Sequence, residues 1–198
     1  GRVVCALDAT PAVVNEAFRT GADMLIVHHT PLWSPVTSVS RPLGSFLKQV
    51  LGADLNVYVM HTNFDHAKGG INDTLADLLG LTSVSGMSLG VCGDCSLDID
   101  GLVNCLGSPL RTWGSVQLPC RIGVAGGSGF DLDLIREAAS LGARAYLSAE
   151  LKHSVARSSP LPLIESTHYS LEAPGMRRLS ERMGWQFIDD PPVMATWI

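Results

Sequence analysis

The sequence predicts an α/β protein of two related lobes, each built on a mixed, largely parallel sheet flanked by helices. Three observations carry this. Short apolar runs alternate with helical patterns over residues 2–80 and again over 120–190, the order expected of strand–helix–strand crossover units. Hydrophobic residues make up 46% of the 198 residues and charged residues 17%, enough apolar material for a packed core. A helix ending in Gly-Ala leads into a strand twice, in "RTGADMLIVHH" and "SLGARAYLSAE", an internal echo that suggests duplication.

The elements follow in order. "RVVCALD" reads as a strand and "TPAVVNEAFRTG" as a helix, with Thr10 as N-cap, Pro11 in the first helical position and Gly21 just past the end. "ADMLIVHH" is a strand, "SFLKQVLG" a helix, "NVYVMHTN" a strand, and "INDTLADLLG" a helix closed by Gly80. From Thr82 to Cys120 the periodicity weakens into glycines, cysteines and short apolar runs, which predict small strands joined by turns and an antiparallel patch. Alternation then returns: "CRIGVAGG" as strand, "DLDLIREAASLG" as helix, "ARAYLSAE" as strand, "LKHSVARS" as short helix and "LPLIEST" as strand. "YSLEAPGMRRLSERMG" is helical with a kink or restart at Pro174, and "WQFIDD" closes as a strand. The lobes are predicted as residues 1–82 and 83–198, the last helix and strand being able to pack back on the first lobe.

A net charge of −5 with scattered basic residues argues against a nucleic-acid partner, whose phosphates are held by clustered Lys and Arg. No apolar stretch approaches the ~20 residues that span a bilayer, and no secretory signal is visible, so the expected location is the cytoplasm. Five cysteines without framework spacing fit a reducing compartment. The sequence opens at Gly1 on a strand-like segment, so the expectation is either an upstream start or processing.

Chemistry concentrates where strands end. His28 and His29 follow "MLIV"; His61 and Asp65, in "HTNFD", follow "VYVM"; His168 and Glu172, in "HYSLE", follow "PLIEST". The carboxyl edge of strands is where open α/β sheets form ligand sites. Successive strand residues point to opposite faces, so His28 and His29 in a regular strand would each serve a different metal. His168 and Glu172 share a helix face one turn apart. Each pair has a bland alternative: a chance His-His, a loop in which Asn63 and Asp65 cap turns, an ordinary helix start. Taken jointly the metal reading prevails. Imidazole and carboxylate without thiolate suit zinc, iron or manganese, and two such ions ~3.5–4 Å apart activate water for hydrolysis.

The ordered blocks "DATPAVVNEAFRTGADMLIVHHTPL", "VYVMHTNFDHAKGGINDTLADLLGL", "GVAGGSG" and "HYSLEAPGMRRL" resemble the Nif-three-like family, whose members are labelled GTP cyclohydrolase I type 2 homologs. The resemblance runs nearly end to end, with two departures: the helical segment that usually precedes the family's first strand is not seen in this sequence, and the stretch from Gly86 to Thr112 matches poorly. It implies a two-lobed subunit with a dinuclear metal site in the cleft between lobes, two divalent ions per subunit, and assembly into a toroidal homohexamer. Carried over by position, the ligands would be His28, His29, Asp65, His168 and Glu172, with His61 a sixth ligand or a neighbour of the metals.

The turn Gly127-Ser128-Gly129 follows a strand and precedes a helix, where backbone amides can hold an anion; it is expected to line the cleft, with tight turning as the alternative. Leu132 stands where a dinucleotide motif needs its third glycine, so no such fold is read here. Cys92 and Cys95 form a lone C-x-x-C, without the second pair that a zinc or redox site requires. His66 and His153 read as exposed, with His66 near enough to the site to shuttle protons alongside His61, and Glu150 is placed to point into the same cleft. The sequence thus predicts a metal-dependent hydrolase of a small nucleotide-like or heterocyclic substrate. The alternative is a non-enzymatic metal-binding scaffold or regulatory partner whose function lies in ring assembly.

Overall fold

Thr10 opens the first helix in a computed structural model that describes residues 1–195. Strand β1 (Val3–Ala6) leads into helix α1 (Pro11–Arg19). The Thr10 hydroxyl accepts the amide of Val13 at 3.1 Å, and Pro11 takes a first-turn position where its missing N–H costs nothing. Strand β2 (Met24–Val27), helix α2 (Arg41–Gly52), strand β3 (Asn56–Val59) and the single turn α3 (Thr62–Asp65) follow. Helix α2 begins four residues before the predicted "SFLKQVLG" because Ser40 caps it, accepting the amide of Leu43.

Next come α4 (Ile71–Leu78), the hairpin β4 (Thr82–Gly86) and β5 (Val91–Cys95), α5 (Ile99–Leu106), β6 (Arg111–Trp113) and β7 (Cys120–Val124). Then α6 (Leu132–Ser140), β8 (Ala145–Ser148), α7 (His153–Ser158), β9 (Leu163–Glu165), α8 (His168–Met183) and β10 (Gln186–Phe187) complete the described chain. Helix α5 departs from the small strands predicted for this stretch. Asp98 caps its start by accepting the amide of Gly101 at 2.8 Å, Gly107 ends it at φ 58°, and Leu102 and Leu106 are buried. Where a kink or restart is predicted at Pro174, α8 is a single helix.

The chain divides into two compact units: Gly1–Phe64 together with the segment from Met176 onward, and Asp65–Gly175. In the first, a wholly parallel sheet runs in the order β10-β1-β2-β3. Val4, Ala6, Leu25 and Val27 of that sheet pack on Val13, Val14 and Ala17 of α1 and on Ile188. In the second, a mixed sheet runs β4-β5-β7-β8-β9-β6, parallel across β7-β8-β9 and antiparallel elsewhere. One face is covered by Leu75 of α4 and Leu79 just past its end, Leu102 of α5 and Leu171 of α8. The other is covered by Ile135 and Ala138 of α6 and Val155 of α7. The division falls after residue 64 rather than at 82 because the apolar stripe of α4 belongs to the second sheet.

The internal echo in the sequence is matched bond for bond. At the end of α1, Gly21 N–H donates to Phe18 O and Ala22 N–H to Ala17 O; at the end of α6, Gly142 N–H donates to Ala139 O and Ala143 N–H to Ala138 O. The next residue then bonds the neighbouring strand: Asp23 N–H to Arg2 O and Arg144 N–H to Arg121 O, both at 2.8 Å. Both glycines have positive φ, 69° and 87°, a backbone region open to glycine at no steric cost. Among the described residues, no helix is long and apolar enough to cross a membrane.

Candidate metal centre

Strand β2 stops at Val27, and the next two amides turn to one acceptor: His28 and His29 both donate to the carbonyl of Leu7, at 3.0 and 3.1 Å. One carbonyl serving two successive amides breaks the alternation that would send the two side chains to opposite faces. Their rings instead lie 4.9 Å apart, centroid to centroid. His61, just beyond β3, adds a third ring 5.0 Å from His28 and 5.7 Å from His29. One ligating nitrogen from each of the three lies within 4.8 Å of the others, a spacing that a cation with bonds of ~2.0–2.2 Å spans with small side-chain movement.

The ring orientations are fixed from behind. His28 Nδ1 donates to the Met60 carbonyl and His29 Nδ1 to the Asp8 carboxylate, each at 2.7 Å. A carbonyl and an ionised carboxylate can only accept, so the proton is held on Nδ1 and the lone pair on Nε2. Metal-binding histidines are generally held in this way. His28 is fully buried, while Trp33, largely exposed, sets its indole 5.1 Å from the His61 ring.

In the second unit, His168 and Glu172 open α8 four residues apart, with Nε2 and Oε2 2.8 Å from each other. His168 Nδ1 donates to Glu150 at 2.6 Å, repeating the backing seen at His28 and His29. Glu172 is only 4% exposed, and a carboxylate taken from water needs a counter-charge or hydrogen bonds. The glycine turn lies directly against it. A Cβ on Gly127, at φ 64°, would overlap Glu172 Oε1 and come 3.2 Å from His168 Nε2. Gly129 is buried, its amide bonded to Ser148 Oγ at 2.9 Å, and Ser128 is exposed. The buried Asn72 ties the turn to α3: its Oδ1 accepts the amide of Gly126 at 2.9 Å and its Nδ2 donates to the carbonyl of Asp65 at 3.1 Å.

His66 follows α3 and is exposed, as is His153 at the start of α7. Cys92 and Cys95 stand three apart on β5 and enter different cores, because an odd spacing along a strand reverses the face; they cannot chelate one ion. All five cysteines are free thiols. Sequence reasoning missed Asp8, Asn72 and Ser148. Asp8 had a usable signal, since it too stands just beyond the carboxyl end of a parallel strand.

These donors, imidazole nitrogen and carboxylate oxygen without thiolate, fit zinc, iron or manganese. Fold and donors together define an α/β protein with a candidate metal centre at its strand ends. The chain belongs to the DUF34/NIF3 (NGG1p interacting factor 3) family, whose profile matches residues 1–193. It is 31% identical over 204 residues to a GTP cyclohydrolase 1 type 2 homolog of Nostoc sp., covering 92% of this chain and 77% of that protein. Among solved structures it is similar to protein ybgI, of unknown function, at a TM-score of 0.84 and 28% identity over 96% of this chain and 85% of that one. It is also similar to reduced HcgD from Methanocaldococcus jannaschii, at a TM-score of 0.80 and 25% identity over 94% of this chain and 81% of that one.

Proposed function

We propose that the chain is a metal-dependent hydrolase acting on a small nucleotide-like or heterocyclic substrate. In this reading His28, His29, Asp65, His168 and Glu172 hold two divalent cations, and subunits assemble into a homo-oligomer. The observation that carries it is the gathering of His28, His29 and His61, two of them oriented through Nδ1 so that Nε2 is the ligating atom. When bound, the cations supply Lewis acidity and lower the pKa of a water toward neutrality.

The chain's own residues have distinct tasks. His28, buried, and His29, backed by Asp8, fix the ligand geometry; Glu172, buried beneath Gly127, contributes negative charge. His61, with Trp33 against its ring, is suited to moving a proton at the substrate side. The amides of the turn at Gly127 and Ser128 hold an anionic substrate group. The name carried by the Nostoc relative supports a purine nucleotide as the first substrate to try.

The test incubates zinc-, iron- and manganese-loaded protein with GTP and related nucleotides and follows product formation. Turnover that disappears together with bound metal in His28→Ala and Glu172→Ala supports the reading. Turnover that persists in both variants after metal loss assigns the activity to another protein, and metal binding without turnover of any nucleotide favours the scaffold reading.

A further inference from the structure

Glu150 is one of three non-glycine residues with positive φ among those described, at 62°. A side chain in this region is strained, and such strain persists only where the surroundings enforce it. Both neighbours are pinned. Before it, the amide of Ala149 donates to the carbonyl of Gly127 at 3.0 Å. After it, the amide of Leu151 donates to Glu165 Oε1 at 2.8 Å. Glu165 lies in β9 and is 6% exposed, a buried carboxylate for which the proposed chemistry has no use. Its charge is met by Arg111, the residue directly opposite it on β6. The strained conformation sends the Glu150 carboxylate to His168 Nδ1, at 2.6 Å.

We infer that Glu150 is a positioning residue for a divalent cation bound through His168, and that buried Glu165, with Arg111, is the anchor that enforces its conformation. This rests on the reading of His168 as a metal ligand. The Glu150 carboxylate fixes the proton on Nδ1, turns Nε2 toward the cation and raises its basicity. The antiparallel edge strand β6, which pairs with β9 and packs Trp113 against the core, thereby gains a role in holding the site.

Glycine separates this role from a structural one. At positive φ, Glu150→Gly relieves strain, so the metal-free variant is expected to unfold at the same temperature as the parent or higher. Zinc affinity, measured by competition with a chromophoric chelator, is expected to fall 10- to 100-fold. Glu150→Ala should lose affinity similarly, whereas Glu150→Gln, whose amide oxygen still accepts from Nδ1, should recover most of it. Glu165→Ala should weaken zinc binding and Glu165→Gln should not. The visible absorption of the cobalt(II)-loaded protein should change in Glu150→Gly and stay near the parent's in Glu150→Gln.

Parent protein that binds zinc, with His168→Ala weakened but Glu150→Gly and Glu150→Ala unchanged, overturns the positioning role and leaves the metal reading standing. Parent protein that binds no divalent cation overturns both.

Discussion

Gly127 lies so close to Glu172 that its α-carbon has no room for a side chain. Two costs add on Gly127→Ala: a left-handed backbone at φ 64°, about 1–2 kcal/mol for an L-residue, and displacement of a buried carboxylate from beside His168. Urea unfolding should show the loss of stability, and metal analysis should show reduced zinc content. A variant with parental stability and metal content would mean that the turn yields easily and does not shape the site.

Removing metal should destabilise the parent. A ligand that binds only the native state stabilises it by about 2.7 kcal/mol at a hundredfold excess over Kd. A chelator should therefore lower the melting temperature of the parent and leave that of His29→Ala unchanged. Equal chelator shifts in both proteins would remove His29 from the ligand set.

Arg121 joins three elements through one guanidinium. It donates from Nε to the carbonyl of Leu141 at 2.8 Å, from one terminal nitrogen to Ser83 O and Asp94 Oδ1, each at 3.1 Å, and from the other to Ser85 Oγ at 3.2 Å. Lysine has no planar fork, so Arg121→Lys should cost about 1–3 kcal/mol in chemical denaturation. The Asp94 carboxyl is held below its ordinary range by the hydrogen bond from Arg121. A loss within error of zero would show the network to be dispensable.

Burial pushes the Cys5 thiol up to about 12. Folded Cys5 should resist alkylation at neutral pH and react only on unfolding. The unfolded thiol ionises near its ordinary value of 9.0. Stability is thus fully present below that pH and falls as the pH rises toward 12, because the unfolded chain gives up its proton first. Cys5→Ala should flatten this alkaline decline, and an unchanged slope would place its cause in other groups.

Much of this molecule is legible in its residues because the signals are local. Thr10, Pro11 and Gly21 set the bounds of α1, and ligand-type pairs stand beyond β2, β3 and β9, the carboxyl ends of parallel strands. Helix α5 escapes because its eight residues include a glycine and a cysteine amid weak periodicity, although Asp98 and Gly107 mark its ends. The unit boundary escapes for a different reason: periodicity shows that Leu75, Ala76 and Leu79 form an apolar stripe, but not which sheet covers it. The backing carboxylates are harder still. Asp8 meets His29 across 21 residues and Glu150 meets His168 across 18, and such pairings exist only once the strands are in register.

The carbonyl of Leu7, by taking the amides of both His28 and His29, sets where their side chains leave the main chain, and Met60 and Asp8 set how the rings turn. Replacing either imidazole would keep that main-chain direction but give up the donation to Met60 or to Asp8. A softer or harder donor pair, installed to retune which ion the protein prefers, would therefore need the acceptors behind it exchanged as well, while the turn at Leu7 could stay as it is.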